Sequence, residues 1–233
     1  MKKYIPGETK EQRKARKNLA KAKKQQSTTS PPVITEPPTS NKIAFVIGNG
    51  TSREPIPLPS LRSFGKIYGC NALYRDFIPD YLVAVDTKMV LELNKAGIQH
   101  QVETWTNPNR AYAEMTGFKF FQPSKGWSSG PTALWFASEN TDYDTIYIIG
   151  FDFEGTGQLV NNIYADTQNY KASTEKATYF GNWLKQTVMT CQNNPKKRYI
   201  RVLGESFFTP PELNKLDNVE NIHIRDFKKS FKI

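Results

Sequence analysis

A chain of 233 residues, 38% hydrophobic and 12% aromatic, is long enough to bury one sizeable core. Its formal net charge of +10 is concentrated at one end: residues 1–41 hold ten Lys/Arg against Glu8, Glu11 and Glu36, which leaves +3 for residues 42–233. No apolar run approaches the ~18 residues of a membrane span, the N-terminus lacks the hydrophobic core of a secretory signal, and Cys70 and Cys191 offer neither a metal spacing nor a disulfide framework, so a reducing compartment, by default the cytoplasm, is expected.

The first 41 residues divide into a Lys/Arg/Gln/Ala segment and a Ser/Thr/Pro segment, "STTSPPVITEPPTS". Neither has enough apolar surface to offset the entropy of ordering, so residues 1–41 are expected to be a disordered basic tail with a Pro-stiffened linker. Two roles stay open for the tail. It is a solubilising extension, or it is an arm in which residues 2–24 contact nucleic acid, an anionic membrane surface or an acidic protein surface, with residues 8–26 becoming helical once their charges are neutralised. The aromatic interleaving of a single-strand binder is missing, since Tyr4 stands alone.

From residue 42 onward, short apolar runs alternate with helical patterns, which predicts an α/β fold: a Rossmann-like, mainly parallel sheet with helices on both faces, formed by residues 42–233 as one domain. "KIAFVIG" reads as a buried strand, followed by "KIYGCN" at 66–71 and "DYLVAVD" at 80–86. "TKMVLELNKAG" reads as a helix with Met89, Leu91 and Leu93 near one surface and Gly97 as its C-cap. "SSGPTALWFASEN" opens with a serine N-cap and carries Pro131 in its first turn. "DYD" at 142–144 resembles a metal-binding pair but falls before the strand, on the wrong edge for a crevice, and reads as a turn. The strand it precedes, "DTIYIIGFDF" at 144–153, is the strongest of the chain. "ATYFGNWLKQTVMTC" is a further helix, with "KKRYIRVLG" and "NIHIRDF" as late strands.

In open α/β sheets ligands sit beyond the carboxyl ends of the strands. The unusual residues fall there: Gly48, Asn49, Gly50, Thr51 and Ser52 after the first strand, Cys70 and Asn71 after the second, Asp86 after the third, and Gly150, Phe151 and Asp152 after the fourth. Ser128, Ser129 and Gly130 open the intervening helix. Glycine lets backbone N–H groups approach a phosphate or ribose, and a helix N-terminus adds a favourable dipole, so a nucleotide is the expected ligand. Arg53 occupies the place of the third glycine of G-x-G-x-x-G, and no P-loop occurs, so neither common fingerprint is present. By itself the Gly-Asn-Gly is equally a tight turn without a ligand.

Taken in order, "VIGNGTS", "GCNALYRDF", "SSG" and "IYIIGFDFEG" resemble the nucleotide-contacting segments of bacterial sialyltransferases of the Campylobacter type. "IPDYLVAVD" with "IYIIGFDF" also resembles the related DUF115 family, which includes flagellar motility accessory factors and an archaeal pterin pyrophosphokinase. The resemblance covers about residues 42 to 155. It implies that Gly48, Asn49 and Gly50 line the phosphate and ribose of CMP, that Asn71 contacts the donor, that Ser128, Ser129 and Gly130 hold its sugar or phosphate, and that Gly150 and Asp152 border the cytidine. It requires no metal.

The departures concern catalysis. Those transferases place a histidine base after the Gly-x-Asp-Phe strand, whereas residues 151–196 contain none; His100 and His223 lie elsewhere, and His223 reads as structural. The family tyrosine after Phe153 is also missing, because Glu154 follows directly. Candidate substitutes are Glu154 and Asp152 as base, and Tyr164 and Tyr170 as phosphate-contacting hydroxyls. Arg53 and Lys125 are candidates for electrostatic contact with the nucleotide, and Trp127 either stacks on it or, the favoured reading, packs beneath the loop, while Trp135 and Phe136 read as core.

Three functions follow. The first is transfer of a sialic or other nonulosonic acid from a CMP donor to an acceptor. The second is a pyrophosphokinase using ATP and Mg²⁺, with Asp86 and Asp152 as metal ligands. The third is a noncatalytic nucleotide-binding or structural protein anchored by its basic tail, which suits a phage or compact bacterial genome.

Overall fold

The computed structural model of the protein describes residues 42–154, 159–205 and 208–233. The expectations for residues 1–41, the tail, the linker and the inducible helix, lie outside the described residues. In chain order the strands are β1 (Ile43–Ile47), β2 (Lys66–Cys70), β3 (Tyr81–Val83), β4 (Glu103–Thr106), β5 (Phe118–Phe120), β6 (Thr145–Ile149), β7 (Arg198–Leu203) and β8 (Val219–His223). They form an eight-stranded sheet in the order β5-β4-β3-β2-β1-β6-β7-β8. Every neighbouring pair in it is parallel. The helices are α1 (Leu58–Leu61), α2 (Thr87–Ala96), α3 (Ser129–Glu139), α4 (Gly181–Asn193), α5 (Pro211–Asn214) and α6 (Ile224–Phe231). This is the Rossmann-like arrangement expected, and no helix among the described residues is long and apolar enough to cross a membrane.

The central strands read as unbroken apolar runs because both of their faces are covered. Along β1, Ile43, Phe45 and Ile47 join one core cluster with Leu61, Val90, Leu93, Phe227 and Phe231, drawn from α1, α2 and α6. Ala44 and Val46, pointing the other way, join Ala133, Leu134, Leu184 and Cys191, drawn from α3 and α4. Phe45 stacks on Tyr147 at 5.4 Å and meets Phe231 edge-on at 5.6 Å. Each such fully buried aromatic contributes about 1.5–3 kcal/mol of transfer free energy.

Two local expectations change, and two strands were not anticipated. Leu91 is 46% exposed while Met89, Val90 and Leu93 are buried; at 100° per residue, positions two apart fall on opposite sides of a helix. "NIHIRDF" is not one strand: β8 ends at His223, whose ring Nδ1 accepts the N–H of Arg225 at 3.2 Å and caps α6. The strands β4 and β5, "ETWT" and "FKF", went unpredicted because they are short and carry few apolar residues; β5 is the edge strand and β4 lies next to it. Gly97 does take the left-handed C-cap conformation, φ 67°, and "DYD" is a turn region leading into β6.

The fold positions the site through its chain order. From β1 the chain steps outward to β5, returns across β1 to β6, and continues to β8. The order reverses between β1 and β6, and in open α/β sheets ligands sit in the crevice beyond the carboxyl ends of the strands at such a switch point.

Candidate functional site

The loops after β1 and β6 cross at close range. Gly48 N–H donates to Ile149 O at 2.8 Å and Gly50 N–H to Gly150 O at 2.9 Å. A Cβ on Gly48 would stand 2.5 Å from Gly150 O, and one on Gly50 would collide with the Asp152 carboxylate, while Gly150 itself has φ +71°. The glycines therefore serve the crossing of two backbones. The amides that follow are also occupied: Thr51 N–H and hydroxyl donate to Asn161 Oδ1 at 2.9 and 2.7 Å, and Ser52 N–H donates to Asp152 Oδ2 at 3.1 Å. Ser52 Oγ donates to Asp152 Oδ1, and Asn161 Nδ2 donates to Asp152 Oδ2 at 3.0 Å. The expectation of an open amide cradle at Gly48–Ser52 is thus corrected: the segment is a fastened wall, and Asp152 is its rivet.

Beside this wall lies a cavity of about 390 Å³ at the carboxyl ends of β1, β2, β3 and β6. Gly48, Asn49, Gly50, Asn71, Asp86, Ser128, Ser129, Gly130, Gly150, Asp152, Glu154 and Tyr170 all line it, so residues spread over more than 120 positions of sequence meet there. Thr51 and Ser52 instead line a neighbouring cavity of about 480 Å³ that shares Asp152 and Glu154 with the first. Tyr164 lies in a buried cluster: its hydroxyl donates to Asp76 Oδ2 at 2.6 Å and accepts from Arg53 Nη2 at 2.6 Å. Burial and the Asp76 hydrogen bond raise the Tyr164 pKa above that of an ordinary tyrosine.

Arg53 is consequently a buried structural cation, paired with Asp76 at 3.1 Å, and not a nucleotide contact. Lys125 places its ammonium 4.7 Å over the Trp135 ring and 5.7 Å from that of Trp127, and none of the three lines the cavity. Trp135 and Phe136 are partly buried against the core beneath α3. His100 and His223 line neither cavity.

Asn71 begins a turn of 3₁₀ helix (Asn71–Arg75) directly after β2 with φ 51°, a left-handed conformation that a non-glycine residue adopts at a cost. Its side-chain Oδ1 is buried and has no hydrogen-bond partner. Asn49 Nδ2 donates to Tyr170 OH at 3.2 Å, and the same hydroxyl accepts Ala72 N–H at 3.3 Å. Burial pushes the Tyr170 pKa up, so this hydroxyl stays protonated at neutral pH.

Ser128 and Ser129 are anchored as well. Ser128 N–H donates to Gln186 Oε1 at 3.1 Å, and Ser129 Oγ accepts Val85 N–H at 3.0 Å, tying α3 to α4 and to the end of β3. The N–H groups of Ser129 and Gly130, in the first turn of an eleven-residue helix, have no acceptor within the helix and carry the positive end of its dipole. Cys70, in the same wall, has its thiol pushed up to about 12 by burial against the pull of Arg53, which keeps it protonated at neutral pH.

The loop after β6 is held from below by Arg201, a residue the sequence reading missed. It is 3% exposed, and its guanidinium donates to Phe151 O at 2.9 Å, Asp152 O at 3.1 Å and Phe208 O at 2.7 Å. Burial brings its pKa down to about 10, against the pull of Asp152 and Glu154. Its only signal was one arginine inside the apolar run "YIRVL". The segment 159–180 roofs the cavity with Asn161, Asn162, Asn169, Tyr170, Lys171 and Phe180, and Trp183 of α4 completes it. Among the lining residues, one cation, Lys171, faces three carboxylates, Asp86, Asp152 and Glu154. The described residues contain no group of three His, Cys, Asp or Glu side chains able to hold a metal ion.

Neither a protein-family model nor a curated protein nor a solved structure matches the chain.

Proposed function

We propose that the switch-point cavity binds a nucleotide or nucleotide-linked sugar, with the CMP-sugar donors implied by the sialyltransferase resemblance as the leading class. The observation that supports this most is the convergence on one polar cavity of Asn71, held in a left-handed backbone conformation, Asn49, Tyr170 and the α3 N-terminus. The Asn71 amide lining the cavity offers a hydrogen bond to a base or sugar, and a phosphate at Ser129 and Gly130 meets two N–H donors with no acceptor inside the helix. Asn49 and Tyr170 add donors for ribose or sugar hydroxyls.

Should the bound donor transfer its sugar, Glu154, which lines both cavities, is the carboxylate assigned to take the acceptor proton. The glycosidic electron pair leaves with the phosphate, stabilised at the start of α3. The engagement of both Asp152 oxygens by Ser52 and Asn161 argues against it as a ligand for the Mg²⁺ of a pyrophosphokinase. Titration calorimetry of the full chain with CMP and with ATP, each with and without Mg²⁺, tests the assignment. Metal-independent CMP binding is expected, and binding of ATP only in the presence of Mg²⁺ overturns it in favour of the kinase.

A further inference from the structure

Beside its amides, the cavity is lined by Phe180 and Trp183, and Trp183 is 39% exposed. Trp183 stands on a rigid support, since α4 is fixed to the core through Leu184, Thr187, Thr190 and Cys191, all buried. One turn further along the same face, Gln186 Oε1 accepts the N–H of Ser128, which sets the register of α4 against the start of α3. The turn of α4 that carries Trp183 is therefore fixed relative to the helix N-terminus on the same cavity. Charge supplies little attraction for a ligand here, because three carboxylates outnumber Lys171. What remains is the partly exposed indole of Trp183 on the cavity wall.

We propose that Trp183 is the stacking platform for the ring of the bound ligand, with Phe180 at its edge. This rests on the assignment of the cavity as a nucleotide site, and adds that a flat ring face, that of the base or of the sugar, supplies much of the affinity. Trp127, the tryptophan that the sequence favoured as a packing residue, takes no part in the cavity.

The test uses the full chain as wild type, Trp183→Phe and Trp183→Ala, titrated with CMP, cytidine and ribose 5-phosphate by calorimetry and by indole fluorescence. Trp183→Ala should lower CMP affinity roughly ten-fold, the scale of one lost base–aromatic stack. Trp183→Phe should stay within about three-fold, because it keeps an aromatic face, while losing most of the ligand-induced change in fluorescence. Base stacking spares ribose 5-phosphate in Trp183→Ala, whereas stacking of the sugar face weakens all three probes. Equal CMP affinity in wild type and a folded Trp183→Ala overturns the platform and leaves the nucleotide site standing. Absence of binding in the wild type overturns the nucleotide site, and the platform with it.

Discussion

Asn71 carries two costs at one position, a left-handed backbone and an orphaned oxygen, and its side chain also lines the cavity. Glycine adopts φ 51° without strain, so Asn71→Gly should hold or raise the melting temperature while CMP affinity falls about five-fold, the scale of one hydrogen bond. Calorimetry and thermal unfolding on the same sample check this, and unchanged affinity contradicts it. Gly48→Ala should act on the fold: its Cβ meets the Gly150 carbonyl at 2.5 Å, and overpacking of this kind costs about 1–3 kcal/mol, readable in urea unfolding. Arg201→Gln should cost about 3 kcal/mol by leaving backbone carbonyls of the β6 loop unpaired. At this scale Asn49, Asn71 and Ser129 were legible because strand and helix ends are readable from apolar runs. The purpose of the glycines was not, since a turn that crosses another backbone and a turn that cradles phosphate share the same letters. Arg201 was hidden because its acceptors are carbonyls from 49 and 50 positions upstream and from Phe208.

At the scale of elements, the roof over the cavity is fastened through Glu92 on α2. Its carboxylate accepts from Tyr74, from Arg75 Nε at 3.0 Å and from Asn169 Nδ2 at 2.6 Å, and Arg75 reaches on to Thr167 Oγ1 at 2.7 Å and Gln168 O at 3.1 Å. Burial pushes the Glu92 pKa up, but the hydrogen bonds from Tyr74, Arg75 and Asn169 outweigh it, and the carboxyl ends below its usual value. A group whose folded pKa is depressed binds its proton first in the unfolded chain, so its contribution is present above the unfolded value, about 4.3, and is lost as pH falls through the folded one. Stability should therefore fall with acidification below about pH 5, and Glu92→Gln should flatten that slope in urea unfolding from pH 3 to 6; an unaltered slope contradicts the fastening. The central strands and the helices α2 to α4 were legible from their apolar runs and caps. The short outer strands β4 and β5 were not, and the break at His223 was not, because a histidine cap followed by Ile-Arg-Asp-Phe continues a strand-like alternation.

On the scale of the whole molecule, +7 of the net charge lies in residues 1–41, while both faces of the sheet are covered by helices drawn from residues 58–231. Deleting residues 1–41 should leave the melting temperature within a degree or two of the full chain's, the scale of less than 1 kcal/mol, and a large fall contradicts a self-sufficient core. The central claim is that the crevice where the strand order reverses is a nucleotide site. Thermal unfolding of the full chain and of Asn71→Gly, each with CMP, UDP, and ATP with and without Mg²⁺, tests it most directly. A ligand at about 100 times its Kd stabilises by roughly 2.7 kcal/mol, a shift of several degrees in a domain of this size. The account predicts such a shift with CMP, independent of metal and reduced in Asn71→Gly; an unmoved transition with every nucleotide contradicts it.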